Sequence, residues 1–297
     1  MTSRASDAST RPAVAATLPR KDFSAIRSAV FRWITTSRFG ARPKRIRRQP
    51  SAMDKGSAVR QMFDKIAGRY DLANTVMTAG VDVLWRRRAA ACLTVGADAQ
   101  LLDLCCGTGA LTRELARKVP RGRVVGVDFS EAMLAVANRR PRNNIEYRRA
   151  DVLDLPFPDE RFDGATMAFS LRNVVDIPRC LREVARVLKA GGAFVNLEVS
   201  KPQSPLLRRG FFAYFFGVVP RLGGMVGGDA AAYRYLPQSL INFPEAPALT
   251  ELFKNNGFAA ASCVPLFGGV AALHVGTAAP RTAPSQAARP SQASAAS

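Results

Sequence analysis

The sequence predicts an α/β fold: a doubly wound, mostly parallel seven-stranded sheet whose last strand is reversed. Three observations predict it. Short apolar runs alternate with helical patterns from Leu101 onward, which is the pattern of a parallel sheet with helices on both faces. A Gly-Thr-Gly turn at 107–109 links the first run to its helix. The last two runs are only a few residues apart, too close for a crossover, so they form a hairpin and run antiparallel.

Taken in order, Leu101-Leu-Asp-Leu-Cys105 reads as a buried strand, and a helix over 110–119 follows the glycine turn. Arg123-Val-Val-Gly-Val-Asp128 is a second strand, and Ser130 is the N-cap of the next helix. Asn144-Ile-Glu-Tyr-Arg148 is a third strand and the run 162–169 a fourth. The helix over 177–188 places Leu181, Val184, Val187 and Leu188 on one face, and Gly191-Gly192 is expected to end it. The run 193–198 is a fifth strand. A helix over 249–256 stops at Gly257, and strands near 259–266 and 270–276 close the sheet.

The ends of the chain are of another kind. Residues 1–52 carry twelve Lys and Arg against Asp7 and Asp22, half of the whole chain's net charge of +20. They are rich in Ser, Thr and Ala and have no continuous apolar core, the composition of an organelle transit peptide. Phe23, Ile26, Val30 and Ile34 recur at helical spacing among arginines, which suits a mitochondrial presequence, while the Ser/Thr-rich start suits a plastid one. Residues 277–297 are Ala/Pro/Ser low complexity and are expected to be disordered. The folded domain is expected over 53–276. Its five cysteines show no CxxC pair, so neither a disulfide framework nor a metal site is predicted. The longest apolar stretch, ten residues over 211–220, falls short of the roughly 20 needed to span a bilayer.

The chemistry gathers at the carboxyl edge of the predicted sheet, where doubly wound folds bind ligands. Asp103 lies in the first strand, Gly107, Thr108 and Gly109 form the turn, Asp128 ends the second strand and Asp151 opens the loop after the third. A dinucleotide fingerprint needs a glycine at 112, which is Thr112 here. Acids at three strand ends suit a nucleoside without phosphates, and a cationic one. Asp128 stands where a carboxylate accepts both hydroxyls of a ribose. S-adenosylmethionine, with its sulfonium charge, has that chemistry.

Longer motifs are more specific than the glycine turn. They are Phe63-Asp-Lys-Ile-Ala-Gly-Arg-Tyr-Asp71, Leu102-Asp-Leu-Cys-Cys-Gly-Thr-Gly109, Leu155-Pro-Phe-Pro-Asp159, Leu171-Arg-Asn-Val-Val-Asp176, Tyr233-Arg-Tyr-Leu-Pro-Gln-Ser239 and Gly269-Val-Ala-Ala-Leu-His274. On these the chain resembles class I S-adenosylmethionine methyltransferases, whose fold is Rossmann-like. Within them it is similar to the ubiquinone/menaquinone-biosynthesis C-methyltransferase family. The resemblance implies S-adenosylmethionine as cofactor and a prenylated quinol as substrate. It carries cofactor contacts onto Thr108, Asp128, Asp151, Val152 and Ala168, and a catalytic role onto Arg172. A guanidinium is a poor base at neutral pH, so stabilising a developing phenolate suits Arg172 better. Tyr233 and Tyr235 are candidates for the quinol pocket, and His274 reads as structural. The chain departs from the family at Ala73, Asp82 and Ala110, where relatives often carry Met, His and Asp.

The turn Leu104-Cys-Cys-Gly-Thr-Gly109 and the stretch Leu171-Arg-Asn-Val-Val-Asp176 look closer to plastid phylloquinone-type relatives than to ubiquinone-type ones. The expected reaction is therefore methylation of demethylphylloquinol or demethylmenaquinol in a plastid. Mitochondrial benzoquinol methylation is the alternative, and an RNA methyltransferase or a non-catalytic scaffold are more distant ones. Nucleic acid is not an expected partner because the positive charge sits largely in the arm. Peripheral membrane association and self-association both remain open.

Overall fold

The computed structural model describes residues 52–281; the arm over 1–51 and the tail over 282–297 lie outside the described residues. Seven strands form one sheet in the order β3-β2-β1-β4-β5-β7-β6. They are β1 (Gln100–Leu104), β2 (Arg123–Asp128), β3 (Ile145–Arg149), β4 (Phe162–Ala168), β5 (Leu188–Val199), β6 (Phe258–Leu266) and β7 (Ala271–Ala278). The first five are mutually parallel, and β7 runs antiparallel between β5 and β6. This is the architecture the sequence predicts. Strand order reverses between β1 and β4, which opens a crevice at their carboxyl ends.

Alternate residues of each strand face opposite layers. Leu102, Leu104, Val125, Val127, Ala165 and Met167 pack under α6 (Ile177–Val187) and α10 (Ala246–Lys254). Leu101, Val124, Val195 and Leu273 pack under α3 (Val81–Cys92) and α4 (Ala110–Lys118). A third cluster lies at the carboxyl edge and makes a cap. It joins α1 (Ala52–Ile66), α2 (Tyr70–Met77) and α5 (Glu131–Asn138) to α7 (Pro205–Gly217), α8 (Val219–Gly227) and α9 (Ala230–Ile241).

Several expectations change. Gly191-Gly192 does not end α6. The helix stops at Val187 because Leu188 already pairs with Phe162, and Gly191 (φ 76°) turns the chain inside β5 before Ala193 pairs with Gly164. Asn144 is not in β3; its amide donates to the carbonyls of Ala116 (2.9 Å) and Val119 (3.1 Å) and caps the end of α4. Cys105 leaves β1 in a left-handed conformation. α10 begins three residues earlier than expected, with Pro247 in its first turn, where its missing N–H has no partner to lose. β7 continues to Ala278, two residues past the expected end of the domain. The apolar stretch 211–220 belongs to a longer unit, α7 and α8 together. Over its 23 residues, Pro205–Gly227, it is long and apolar enough by composition to cross a membrane. Phe211, Phe215 and Val219 nevertheless anchor one side of it in the cap.

Tyr233 explains two glycines. Its ring lies against Gly223 and Gly227, one turn apart on α8, and a Cβ at either position would fall inside the ring. Helix propensity alone would reward alanine by about 1 kcal/mol. Overpacking against a buried ring costs about 1–3 kcal/mol. Gly223→Ala is therefore expected to lower the urea unfolding midpoint; a raised midpoint would show that the ring can move aside.

Candidate active site

The crevice is a cavity built by three turns and a lid. In the turn after β1, Cys105 (φ 49°), Gly107 (55°) and Gly109 (77°) are all left-handed. Glycine takes that conformation freely, whereas for Cys105 it costs about 1–2 kcal/mol. A Cβ on Gly109 would collide with the Tyr147 hydroxyl. Phe169, just past β4, is also left-handed (φ 58°). Strained backbone thus stands at the ends of both strands that flank the reversal, where functional sites tend to store it.

Asp103 is fully buried and accepts the hydroxyls of Thr112 (2.6 Å) and Thr166 (2.7 Å). Burial pushes its carboxyl up to about 6, with both threonines and Arg86 pulling the other way. Asp128 is held by the backbone N–H groups of Gly107 and Ser130, each at 2.9 Å, and burial likewise pushes it up to about 6. These two donors orient the carboxylate at the end of β2, where the remaining lone pairs can accept ribose hydroxyls. Thr108 is buried, and its hydroxyl donates to Asp71 at 2.6 Å. Asp151 is exposed at the rim, with one oxygen accepting the Leu153 N–H (2.9 Å) and Val152 buried beside it.

The cavity brings together Asp103, Gly107, Thr108, Asp128, Asp151, Val152 and Ala168. Gly109, Arg172, Tyr233 and Tyr235 do not line it. Gly109 acts one step away, as the left-handed N-cap of α4. Arg172 is buried, ion-paired with Glu198, and donates to the Phe169 carbonyl at 2.7 Å. It pins the turn Leu171–Asn173 to β5 rather than facing a reacting ring. Tyr233 is core of the cap, its hydroxyl buried and without a partner among the described residues, and burial pushes it up to about 12. Tyr235 is half-buried close to Arg172, and burial raises it. His274 lies in β7 and does not line the cavity; Nε2 is 3.2 Å from the Ala246 carbonyl, and burial lowers the basicity of the ring against the pull of that contact.

Other lining residues carry no site role in the sequence reading, although Phe63, Tyr70, Asp71 and Asn173 lie in its motifs. Val59, Phe63, Tyr70 and Asp71 come from α1 and α2, Arg86 from α3, and Ser170 and Asn173 from the turn after β4. Val59 and Phe63 are one helical turn apart, a spacing that could have flagged the lid. The lid is fastened twice, by Asp71 to Thr108 and by Asp64 to the Ser130 hydroxyl at 2.5 Å. Both side-chain polar atoms of Asn173 are buried with no partner among the described residues. A strand-end carboxylate over a glycine turn, acids around the wall and an unpartnered amide fit a polar, cationic nucleoside.

Residues 51–278 match the model of the ubiE/COQ5 methyltransferase family. The demethylmenaquinone methyltransferase of Symbiobacterium thermophilum is 44% identical over 239 residues, which cover 77% of this chain and 95% of that one. The ubiquinone/menaquinone biosynthesis C-methyltransferase UbiE of Teredinibacter turnerae is 40% identical, covering 76% and 94%. Among solved structures, a SAM-dependent methyltransferase of Thermotoga maritima superposes with a TM-score of 0.54 at 21% identity, over 74% of this chain and 99% of that one. The [4+2]-cyclase SpnF superposes at 0.50 with 18% identity, over 78% and 97%, so the shared fold does not by itself fix the reaction. The chain belongs to the ubiE/COQ5 methyltransferase family. It is an S-adenosylmethionine-dependent methyltransferase.

Asp128 can accept ribose hydroxyls at full strength only when ionised, and with its carboxyl at about 6 the neutral form takes over below that pH. Cofactor affinity measured by calorimetry is expected to be flat above pH 7 and to fall by up to about tenfold per unit below pH 6. Asp128→Asn should lose about 10–100-fold at pH 7.5, the worth of one or two charge-assisted hydrogen bonds, and flatten most of that dependence. Unchanged affinity in the variant would remove Asp128 from the site.

Proposed function

We propose that the enzyme methylates a ring carbon of a prenylated naphthoquinol, converting a demethylphylloquinol or demethylmenaquinol to its methylated product. The observation that carries this is the family match over 51–278 together with relatives at 39–44% identity named demethylmenaquinone methyltransferase. The motifs at 104–109 and 171–176 lean the same way. Relatives at 38–40% bear the joint ubiquinone/menaquinone name, which keeps a benzoquinol as the second reading.

The cofactor supplies an electrophilic methyl on a cationic sulfur. The acceptor is a ring carbon made electron-rich once the adjacent hydroxyl has lost its proton to solvent; its electron pair would form the new bond as the methyl–sulfur bond breaks with its pair kept on sulfur, leaving a neutral thioether, and the ring proton would then pass to water. The acid-rich wall of the cavity favours the cation. Burial under the lid excludes water, and the Leu171–Asn173 turn, pinned through Arg172 and Glu198, fixes the side of the cavity where Ser170, Asn173, Val174 and Val175 stand. Arg172 acts in this reading as a positioning residue.

A prenylated quinol resides in a membrane, and the cap offers a surface to meet one. Leu206, Tyr214, Phe216, Val218 and Met225 are exposed along α7, α8 and the residue between them, in a segment that also carries Arg208, Arg209 and Arg221. Such a helix pair suits lying in the interface of an anionic bilayer rather than crossing it. The composition of the arm over 1–52 supports delivery to a plastid, with the mitochondrion as the alternative.

Two measurements test this reading. Methyl transfer to chemically reduced demethyl-naphthoquinol is expected to exceed that to the matching benzoquinol at least about tenfold in kcat/KM, the scale of one lost ring contact. The oxidised quinones should be inert, and a benzoquinol preference would transfer the enzyme to the second reading. Residues 1–52 fused to a fluorescent protein should enter plastids, and mitochondrial import would reassign the compartment.

A further inference from the structure

The cavity wall has an uneven charge. Asp71, Asp103, Asp128 and Asp151 line it, and among the described lining residues Arg86 is the one cation. S-adenosylmethionine carries two positive groups, the sulfonium and the α-ammonium, and a single negative one, the α-carboxylate. We propose that Arg86 is the seat of that carboxylate, and that Asp82 is the positioning residue that holds Arg86 in place.

The geometry of α3 supports this. Asp82 and Arg86 are one helical turn apart, both buried, and form an ion pair. The Thr78 hydroxyl donates to the other Asp82 oxygen at 2.9 Å, which fixes the carboxylate and through it the guanidinium. Only Nη1 of Arg86 is engaged by Asp82; Nε and Nη2 have no hydrogen-bond partner among the described residues, and the residue lines the cavity. The guanidinium plane stands over the Phe169 ring, 5.3 Å from its centroid, on the left-handed residue past β4. The other buried guanidinium nearby, Arg172, is committed to Glu198 and the Phe169 carbonyl and does not line the cavity.

Position along the cavity agrees. Arg86 is close enough to Asp103 of β1 and to Tyr70 of α2 for its charge to bear on both. Ala110 and Leu111, the first residues of α4, line the cavity too. The N-terminal dipole of that nine-residue helix therefore adds to the attraction for an anion. Free donors on a fixed guanidinium are the arrangement that grips a carboxylate with two hydrogen bonds.

The test separates the amino-acid end of the ligand from its nucleoside. S-adenosylhomocysteine, which has the carboxylate, and 5′-deoxy-5′-methylthioadenosine, which lacks the amino-acid end, are titrated calorimetrically into the full chain. Removing the buried pair together, Asp82→Asn with Arg86→Met, avoids leaving an unpaired buried charge. The double variant is expected to bind S-adenosylhomocysteine about 10–100-fold more weakly while binding methylthioadenosine within about twofold of the parent. Arg86→Lys, which keeps the charge, should recover most of the loss. Unchanged S-adenosylhomocysteine affinity, or an equal loss for both ligands in both variants, would overturn the assignment. The outcome does not depend on the methyl acceptor, so a failed naphthoquinol assay and a failed Arg86 test are separate results.

Discussion

At the carboxyl edge, one buried carboxylate ties together the elements that form the cavity. Asp103 takes a hydroxyl from Thr112 on α4 and another from Thr166 on β4, so it joins its own strand, the strand across the order reversal and the helix after the glycine turn. A carboxylate removed from water costs several kcal/mol unless partners replace the lost hydration. Here two short hydroxyl contacts and the charge of Arg86 do so, and the carboxyl still rests at about 6. The turn between Cys105 and Gly109 consequently has both ends fixed, which lets it hold a left-handed cysteine and present Gly107 to Asp128. Thr112 stands where a dinucleotide-binding turn would need glycine. The residue that argues against a pyrophosphate is thus the one that anchors the turn.

The lid depends on the same edge. Asp64 and Asp71 reach from the amino-terminal helices to Ser130 and Thr108, and both acceptors engage hydroxyls on the turns that follow β2 and β1. Each bond contributes only about 1 kcal/mol. The larger contribution is apolar: Ile66, Ala73 and Met77 pack with Phe211, Phe215, Val219 and Tyr233, and the Tyr214 hydroxyl donates to the Met77 carbonyl at 2.7 Å. The lid and the outward-facing α7–α8 pair are therefore one packed body. A surface that docks at α7 and α8 is joined through side-chain packing to the helices that cover the cofactor.

How much of this was legible in the sequence depends on whether the signal was periodic. The strands of the sheet declared themselves as apolar runs, and their ends carried Asp103, Asp128 and Asp151 to one edge without ambiguity. The lid contains a specific motif, Phe63 through Asp71, and the spacing of Val59, Phe63 and Ile66 already marks a buried helix face. Arg86 was hidden in the triplet Arg86-Arg-Arg88, which reads as a solvated run; Arg87 and Arg88 are exposed, and only Arg86 is turned inward. Tyr233 belonged to a specific motif and was assigned to substrate, yet Gly223 and Gly227, four residues apart, mark the place where an aromatic ring must approach a helix backbone. Gly191-Gly192 misled for the opposite reason: glycines end helices so often that a turn within a strand was not considered. Arg172 could not be placed from sequence because its partner Glu198 is 26 residues away, on a different strand.

The charge of the chain and the charge of the cavity have opposite signs, and the second is the better guide to what the enzyme accepts. A chain with a formal net charge of +20 invites a polyanion, but four carboxylates against one guanidinium surround the space where an acceptor must meet the methyl group. A phosphodiester brought to that space would face Asp128, Asp71 and the rim residue Asp151, with Arg86 alone among the described lining residues to offset them. A quinol carries no charge until it loses its phenolic proton, and the cationic methyl donor then stabilises the phenolate it is about to meet. The arginines exposed on the cap act only within a screening length of about 8–10 Å and do not line the cavity. Positive charge on the surface and negative charge within thus point to different ligands, and it is the second that fits the cationic methyl donor.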